Sequence, residues 1–444
     1  MSFSYTPLWK TMKNKNICSK TELRERVGIT TTTLSKLSKN EYVRMDILDK
    51  LCSSLDCEIS DVITHISDDN IQVSEVFYQE NDVGKLKIVS LFSGIGGFEA
   101  GLEESNVSGK IVFSSEIDRF AKISYEANFP NHNLHGDITK IDAKDVPNHD
   151  LLIGGFPCQA FSIAGSREGF EDIRGTLFFD VARIIREKKP EFLLLENVKN
   201  LVSHDNSKTI RVILNTLNEL GYTVDFTIIN SSEAGVPQSR DRTYIVAIMD
   251  YPSEDFYYDY RSKKIDILKS ELNIFGFKGF NFFSDLVFDC VKTVIEDVIE
   301  DDVEEKYFFN KEIVTDFLDN TSIDFYEPQQ KIVKLFDVPR EVINDNERQR
   351  RVYSLKGLSP TVLARSDSTK IIVKKDGKLK LRKFTPVENL RVQGFSEGFI
   401  KKLKSTNVSD TQLYKQSGNA VSPPVITGIL NHFNKYFEQV KVTK

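Results

Sequence analysis

KIVSLFSGIGGF, residues 87–98, decides the fold: an apolar run, a glycine-rich turn and the start of a helix follow directly on one another. A strand that feeds a helix through such a turn opens an α/β sheet. Its glycines, Gly94, Gly96 and Gly97, do not complete the dinucleotide pattern G-x-G-x-x-G, because Glu99 stands in the third place. A nicotinamide cofactor is therefore disfavoured. Downstream the texture repeats. Short apolar runs at 110–116, 150–155, 191–198 and 243–249 alternate with helical patterns at 98–105, 118–127, 177–188 and 208–220. That alternation predicts a mainly parallel, doubly wound sheet.

Such sheets place their sites at the carboxyl ends of the strands. Glu116, 20 residues after Gly96, ends the next strand, where it can accept hydrogen bonds from ribose hydroxyls. Asp137, in HGDIT, is placed to meet an adenine amino group, so an adenosine-bearing cofactor without a pyrophosphate fits better than a dinucleotide. GGFPCQAFS (154–162) carries the strongest signal. Cys158, between Pro157 and Gln159, falls on a turn after a buried strand, and these neighbours suit exposure of a thiol better than packing. Glu196 closes the LLLENV run, and QSRDR (238–242) brings Arg240 and Arg242 to a strand start.

A thiolate, an acid and a guanidinium suit one problem in particular. C5 of cytosine is too poor in electrons to attack a methyl sulfonium. A thiolate adding to C6, with N3 held by a protonated carboxyl and O2 by a guanidinium, makes C5 an enamine carbon that can attack. A base then removes the C5 proton and the thiol is eliminated. Cys158 is the expected nucleophile, Glu196 the N3 partner and Arg242 the O2 contact, with Arg240 beside them in the catalytic set. Because C6 is hidden in the base stack, the cytosine must be flipped out of the duplex.

Over residues 87–436 these blocks resemble the DNA (cytosine-5)-methyltransferase family, in the family's order. They are FSGIGGF (92–98), the Glu116 block, Asp137-Ile138, Pro157-Cys158-Gln159, Glu196-Asn197-Val198, QSRDR, RKFTPVENLRVQGF (382–395) and QSGNAVSPPV (416–425). The resemblance implies a Rossmann-like class I methyltransferase domain with a smaller target-recognition domain, and S-adenosyl-L-methionine as cofactor. It implies cofactor contacts from Phe92, Gly94, Gly96, Gly97, Glu116, Ile117, Asp137, Ile138, Pro157, Asn419 and Ala420. It also makes 159–177 a loop that closes over flipped DNA, with Gln159, Ser162 and Arg167 touching it. Ser90, Val387 and Ala420 depart from the family's commonest residues, which implies tuning of cofactor affinity or stability.

The N-terminal stretch differs in kind. Leu23, Val27, Leu34 and Leu37 fall at helical spacing around a break at Gly28-Ile29, with Thr30 able to cap the second helix. Further helices are expected at about 45–54 and 59–65. TELRERVGITTTTLSKLSKNEYVRMDILDKLCSSL resembles the lambda-repressor-like helix-turn-helix family, with Thr31, Thr32, Ser35 and Lys36 as DNA contacts. A helical bundle for dimerisation is the competing expectation.

The domain expectation is 1–66 helix-turn-helix, 67–85 linker, 86–250 catalytic core, 251–380 target recognition and 381–444 completing the catalytic domain. Net charge over the 444 residues is −6, which taken alone argues against nucleic acid. Locally the balance inverts: residues 1–50 carry ten Lys/Arg against five Asp/Glu, and 331–383 carry fifteen against six. The second stretch is expected to contact phosphates and read bases, with Arg365 and Ser366 as candidates. EDVIEDDVEE (296–305), with seven acids of ten, is expected to face solvent away from DNA.

Five scattered cysteines (Cys18, Cys52, Cys57, Cys158, Cys290) and six histidines offer neither a disulfide framework nor metal-ligand spacing. With no apolar targeting segment or membrane span, the expected compartment is the cytoplasm. The expected partner is double-stranded DNA at one short site. Promoter DNA bound through residues 1–66 is a second, and that mode implies a dimer. A transcriptional regulator and a tRNA cytosine-5 methyltransferase are the competing functions.

Overall fold

The computed structural model describes residues 3–15, 17, 20–38, 42–65, 85–157, 177–258, 261–321 and 327–443. The expectations for Cys158, Gln159, Ser162 and Arg167, for the loop at 159–176 and for the linker at 67–84 fall outside these residues. The chain divides into two compact units, Met1–Gly84 with Asp289–Lys292, and Lys85–Phe288 with Thr293–Lys444.

The first unit comprises β1 (Phe3–Ser4), α1 (Thr6–Asn14), α2 (Lys20–Val27), α3 (Thr31–Ser38), α4 (Met45–Leu55) and β2 (Thr64–His65). Leu8, Leu23, Leu37, Leu51, Leu55 and Val62 are fully buried at its centre. Gly28, at φ 68, makes the turn into α3, and Thr30 Oγ1 accepts from the Thr33 N–H at 3.1 Å, capping that helix. The helix expected at 59–65 is a single turn at Ile59–Asp61. Val62, Ile63 and Thr64 are β-branched, a run that favours extended backbone, and Thr64–His65 pairs antiparallel with β1.

The second unit begins with β3 (Leu86–Leu91), α5 (Gly97–Glu103), β4 (Gly109–Ser115), α6 (Arg119–Asn128), β5 (Leu134–His135), β6 (Leu151–Gly155), α7 (Leu177–Lys188) and β7 (Phe192–Val198). Next come α8 (Lys208–Glu219), β8 (Tyr222–Asn230), β9 (Gln238–Ser239), β10 (Asp241–Met249), α9 (Lys263–Ile274) and α10 (Glu312–Asp319). A second sheet and the C-terminal helices complete it: β11 (Lys334–Asp337), α11 (Glu347–Arg350), β12 (Arg351–Tyr353), β13 (Ser359–Pro360), β14 (Lys370–Lys375), β15 (Lys378–Lys383), α12 (Pro386–Val392), α13 (Glu397–Lys404), α14 (Asp410–Asn419) and α15 (Pro423–Thr443).

The main sheet runs β5-β4-β3-β6-β7-β10-β8. Its first five strands are parallel, while β10 is antiparallel to both neighbours. Alternate residues face opposite cores, as the period of a strand requires. Leu193 and Leu195 meet α7, α8 and α9 on one face; Phe192 and Leu194 meet α15 on the other, where α5 also packs. Residues just beyond the boundary expected at 250 pack into both of these cores. Phe256 and α9 belong to the first core, and Phe280, Phe282, Phe283 and Leu286 to the second. Phe256, Phe280, Phe282 and Phe283 are buried in the cores on the main sheet, whereas Tyr257, Tyr258 and Phe275 of the same stretch are exposed. The separate sheet of this region is β11-β12-β14-β15. Among the described residues no helix is long and apolar enough to cross a membrane.

Candidate active site

The carboxyl ends of β3, β4, β6 and β7 open into one cavity of about 600 Å³, at the position where the strand order reverses around β3. The turn after β3 passes through left-handed backbone, with Phe92 at φ 56, Gly94 at φ 58 and Gly96 at φ 96. Phenylalanine is strained there and persists only where its surroundings hold it, a pattern that clusters at functional sites. Glu116 fastens the turn. Its Oε2 accepts from the Gly94 N–H at 2.8 Å and its Oε1 from the Asp118 N–H at 2.7 Å. Asp137 lines the same cavity and its Oδ1 accepts from the Thr139 hydroxyl and N–H, which hold the carboxyl below the usual range. Ile117, Ile138, Pro157, Asn419 and Ala420 also line this wall.

These residues suit an adenosine-bearing cofactor. Ser115 Oγ and Gln416 Nε2 are buried, line or border the cavity, and have no hydrogen-bond partner among the described residues. Buried polar atoms are rarely left unpaired. Unused polar capacity beside two carboxylates matches a ligand rich in hydroxyl and amino groups. Gln416 escapes notice in the sequence because its neighbours Asn419 and Ala420 carry the block's resemblance.

Below the turn lies a buried polar network. Glu99, on α5, accepts from the Tyr125 hydroxyl at 3.1 Å, and that oxygen also meets Ser114 Oγ at 2.7 Å and His132 Nδ1 at 2.9 Å. Burial pushes the Glu99 carboxyl up to about 7, with the Ser90 and Tyr125 hydroxyls pulling it back. Ser90, one of the family departures, is therefore part of this network.

The reacting end of the cavity is set by register. Glu196 on β7 stands opposite Gly155 on β6 and Tyr244 on β10. A Cβ on Gly155 would lie 3.1 Å from Glu196 Oε2, so the glycine makes room for the carboxylate. Arg242 Nε lies 3.1 Å from Glu196 Oε1. Burial raises the Glu196 carboxyl, opposed by Arg242 and then Arg240. The pair thus combines an acid that holds its proton above the ordinary range with an adjacent guanidinium donor. Asn197 Nδ2 donates to the Phe156 carbonyl at 2.8 Å, fixing the strand exit just before Pro157. Asn197 stands in a quoted block, yet an asparagine at a strand end has no sequence signature for that anchoring.

Arg240 lines the cavity too, but it is held differently. Its Nη2 donates to the Gly418 and Ala420 carbonyls, each at 2.9 Å, and its Nη1 to the Val362 carbonyl at 3.4 Å. Burial and then Arg242 pull its guanidinium down to about 9, still protonated at neutral pH.

The expected DNA contacts divide. Thr32 and Lys36 are exposed on α3, whereas the side chains of Thr31 and Ser35 fall outside the described set. Arg365 and Ser366 are exposed between β13 and β14. Most acids of 296–305 face solvent as expected, yet Glu296 pairs with Lys356 and Glu305 with Lys375. Part of the basic surplus of 331–383 is therefore neutralised within the chain.

Comparison with known proteins agrees with this geometry. A family model for C-5 cytosine-specific DNA methylases matches residues 86–435, and one for the Cro/C1-type HTH DNA-binding domain matches residues 7–68. Type II methyltransferase M.SsoII of Shigella sonnei is 39% identical over 358 residues, covering 79% of this chain and 81% of that protein. Orphan methyltransferase M.SPRI of Bacillus phage SPR is 31% identical over 431 residues, covering 78% and 97%. The crystal structure of S. pombe Dnmt2 methyltransferase shares the fold, with a TM-score of 0.57 at 21% identity over 80% of this chain and 99% of that one. The chain belongs to the C-5 cytosine-specific DNA methylase family and is a DNA (cytosine-5-)-methyltransferase with an N-terminal helix-turn-helix domain of the Cro/C1 type.

Proposed function

We propose that this enzyme methylates cytosine at one short sequence in double-stranded DNA with S-adenosylmethionine as donor, as the modification half of a Type II restriction–modification pair. The observation that carries the proposal is the Glu196–Arg242 pair at 3.1 Å, in the same cavity as Pro157, Gly94, Glu116 and Asp137. When bound, S-adenosylmethionine supplies an electrophilic methyl group on sulfur. Glu116 and Asp137 take its ribose hydroxyls and adenine amino group, and Phe92, the glycine turn, Asn419 and Ala420 shape its pocket. Cys158 adds its thiolate to C6 of a flipped-out cytosine. Glu196, protonated, donates to N3, and Arg242 donates to O2 while holding Glu196 in place. After transfer a base removes the C5 proton and the thiolate leaves.

Gln159, Ser162 and Arg167 belong to the closing loop of this proposal, and Arg365 and Ser366 to the recognition region within 331–383. Bisulfite sequencing of plasmid from an expressing host tests it: one short motif should carry 5-methylcytosine, and Cys158→Ala should erase the mark. Unmarked plasmid at normal protein levels would overturn it.

A second role rests on the exposed Thr32 and Lys36 of α3. Through this helix the protein binds its own promoter and represses itself, as a dimer on paired half-sites. Footprinting of the upstream region with full-length protein should show protection that Lys36→Ala weakens; an unprotected promoter would remove this role.

A further inference from the structure

Arg240 and Gln238 hold a junction that lies outside the Glu196–Arg242 pair. β9 runs parallel to β13, pairing Gln238 with Ser359 and Ser239 with Pro360. Past that pairing, Val362 is gripped at both backbone groups. Its N–H donates to Gln238 Oε1 at 2.9 Å, and its carbonyl accepts from Arg240 at 3.4 Å. The opposite side of the same guanidinium holds the Gly418 and Ala420 carbonyls, which flank Asn419 on the cofactor wall. Gly418 itself touches the chain after Val362: a Cβ there would lie 2.3 Å from Leu363 C and 2.3 Å from Ala364 N. The next residue is Arg365, exposed at the start of the loop. Base-reading loop and cofactor wall are therefore in backbone contact, with Arg240 bridging them.

We propose that Arg240 is a positioning residue that clamps the segment 362–365 to the 418–420 block, so that site choice and cofactor affinity are set together. The inference rests on the cofactor pocket and recognition region of the preceding section. Coupling of this kind is reciprocal: whatever shifts the segment 362–365 alters the pocket, and the reverse holds equally. A guanidinium is suited to the task because its planar fork reaches three carbonyls in fixed directions, which an ammonium on a flexible stem does not. Arg240 is buried, so these bonds do not compete with water.

The test uses full-length wild type, Arg240→Lys, Gly418→Ala and the double variant. Two measurements are made: S-adenosylhomocysteine affinity by calorimetry, and the breadth of methylated motifs by bisulfite sequencing of the expressing host. Arg240→Lys keeps the charge but loses the fork, and should weaken S-adenosylhomocysteine by about tenfold, the effect of a lost charge-assisted bond. It should also spread methylation to near-matching sites. Gly418→Ala displaces the 363–364 backbone without touching the charge, and should move both readouts in the same direction. The double variant should fall short of the product of the single effects.

If Arg240→Lys does not fold, Gly418→Ala still decides, since a clamp requires it to change affinity and motif breadth together. Arg240→Lys that slows transfer while keeping wild-type affinity and motif would overturn the clamp and place Arg240 at the base itself. Gly418→Ala that moves only one readout would also overturn it. Failure of wild type to bind S-adenosylhomocysteine would instead remove the cofactor assignment beneath it.

Discussion

Two walls of the second unit are built on opposite principles. On the cofactor side, the turn 92–97, Glu116 and Asp137 are held by short bonds to backbone, and beneath them lies the buried network of Glu99, Tyr125 and Ser114. The sheet β11-β12-β14-β15, in the region proposed to read DNA, carries several of its charges as partly exposed pairs, such as Lys334–Asp337, Glu305–Lys375 and Glu347–Arg351, although Arg382 of β15 is fully buried against Glu388. Exposed pairs contribute about 0–1 kcal/mol each, whereas a buried network is costly to disturb at any member. The first arrangement suits a ligand that does not vary, whereas exposed pairs can be exchanged cheaply, which suits the site reading proposed for the second.

The largest effect is expected at the reacting end of the cavity. Glu196→Ala removes the proton donor and leaves Arg242 without its partner, so methyl transfer should fall by about three orders of magnitude, within the range for a positioned acid–base group. Single-turnover transfer of labelled methyl to host DNA would measure it, with S-adenosylhomocysteine affinity changing far less. A loss confined to cofactor binding would show that the reacting end is not distinct from the cofactor wall. Next in size, Glu116→Ala frees both Gly94 and Asp118 N–H groups and deletes the carboxylate that faces the cavity. S-adenosylhomocysteine affinity should drop about 10- to 100-fold, corresponding to one or two charge-assisted bonds. An unchanged affinity would show that the turn is held without Glu116.

The same contrast explains what the sequence discloses. FSGIGGF, Glu116, Asp137, Pro157 and Glu196 stand at strand ends, and strand ends can be located from apolar runs and glycines alone. Thr30 as a cap is equally local and is seen in the structure. Gln238, Gln393 and Gly418 are not legible in that way. Their roles depend on bonds such as Gln238 Nε2 to the Val392 carbonyl at 3.0 Å, which span over a hundred residues and have no local period. The packing of 251–288 is hidden in the sequence for a related reason. A stretch rich in phenylalanine reads as irregular when its partners, such as Phe433 and Tyr436, lie at the far end of the chain.

A smaller effect should come from the network beneath the cofactor wall. Glu99 is raised to about 7 in the folded protein against an ordinary 4.5. Between those values the unfolded chain gives up its proton while the folded chain keeps it, so stability is highest below the lower value and falls as pH rises towards the upper one. The loss is up to about 3 kcal/mol. Urea unfolding at pH 5 and pH 8 should show this slope in wild type, and Glu99→Gln, which cannot titrate, should flatten it. An equal slope in both proteins would mean that other groups set the pH dependence.

The smallest change is expected on the recognition side. Arg365 is exposed and reaches no carboxylate in the ion pairs of the described residues, so its removal leaves no buried charge unpaired and should hardly affect folding. If it reads a base, Arg365→Ala should cost on the order of 1 kcal/mol of discrimination and relax one position of the methylated motif. If it touches only phosphate, the variant should instead weaken binding evenly across sequences and lower the salt slope by about one unit. Either result leaves S-adenosylhomocysteine affinity near wild type, because the side chain lies beyond the clamp at Val362 and does not form it. A clear loss of cofactor affinity in Arg365→Ala would erase the distinction between the walls, since the exposed loop would then be as tightly bound into the pocket as Gly94 and Glu116 are.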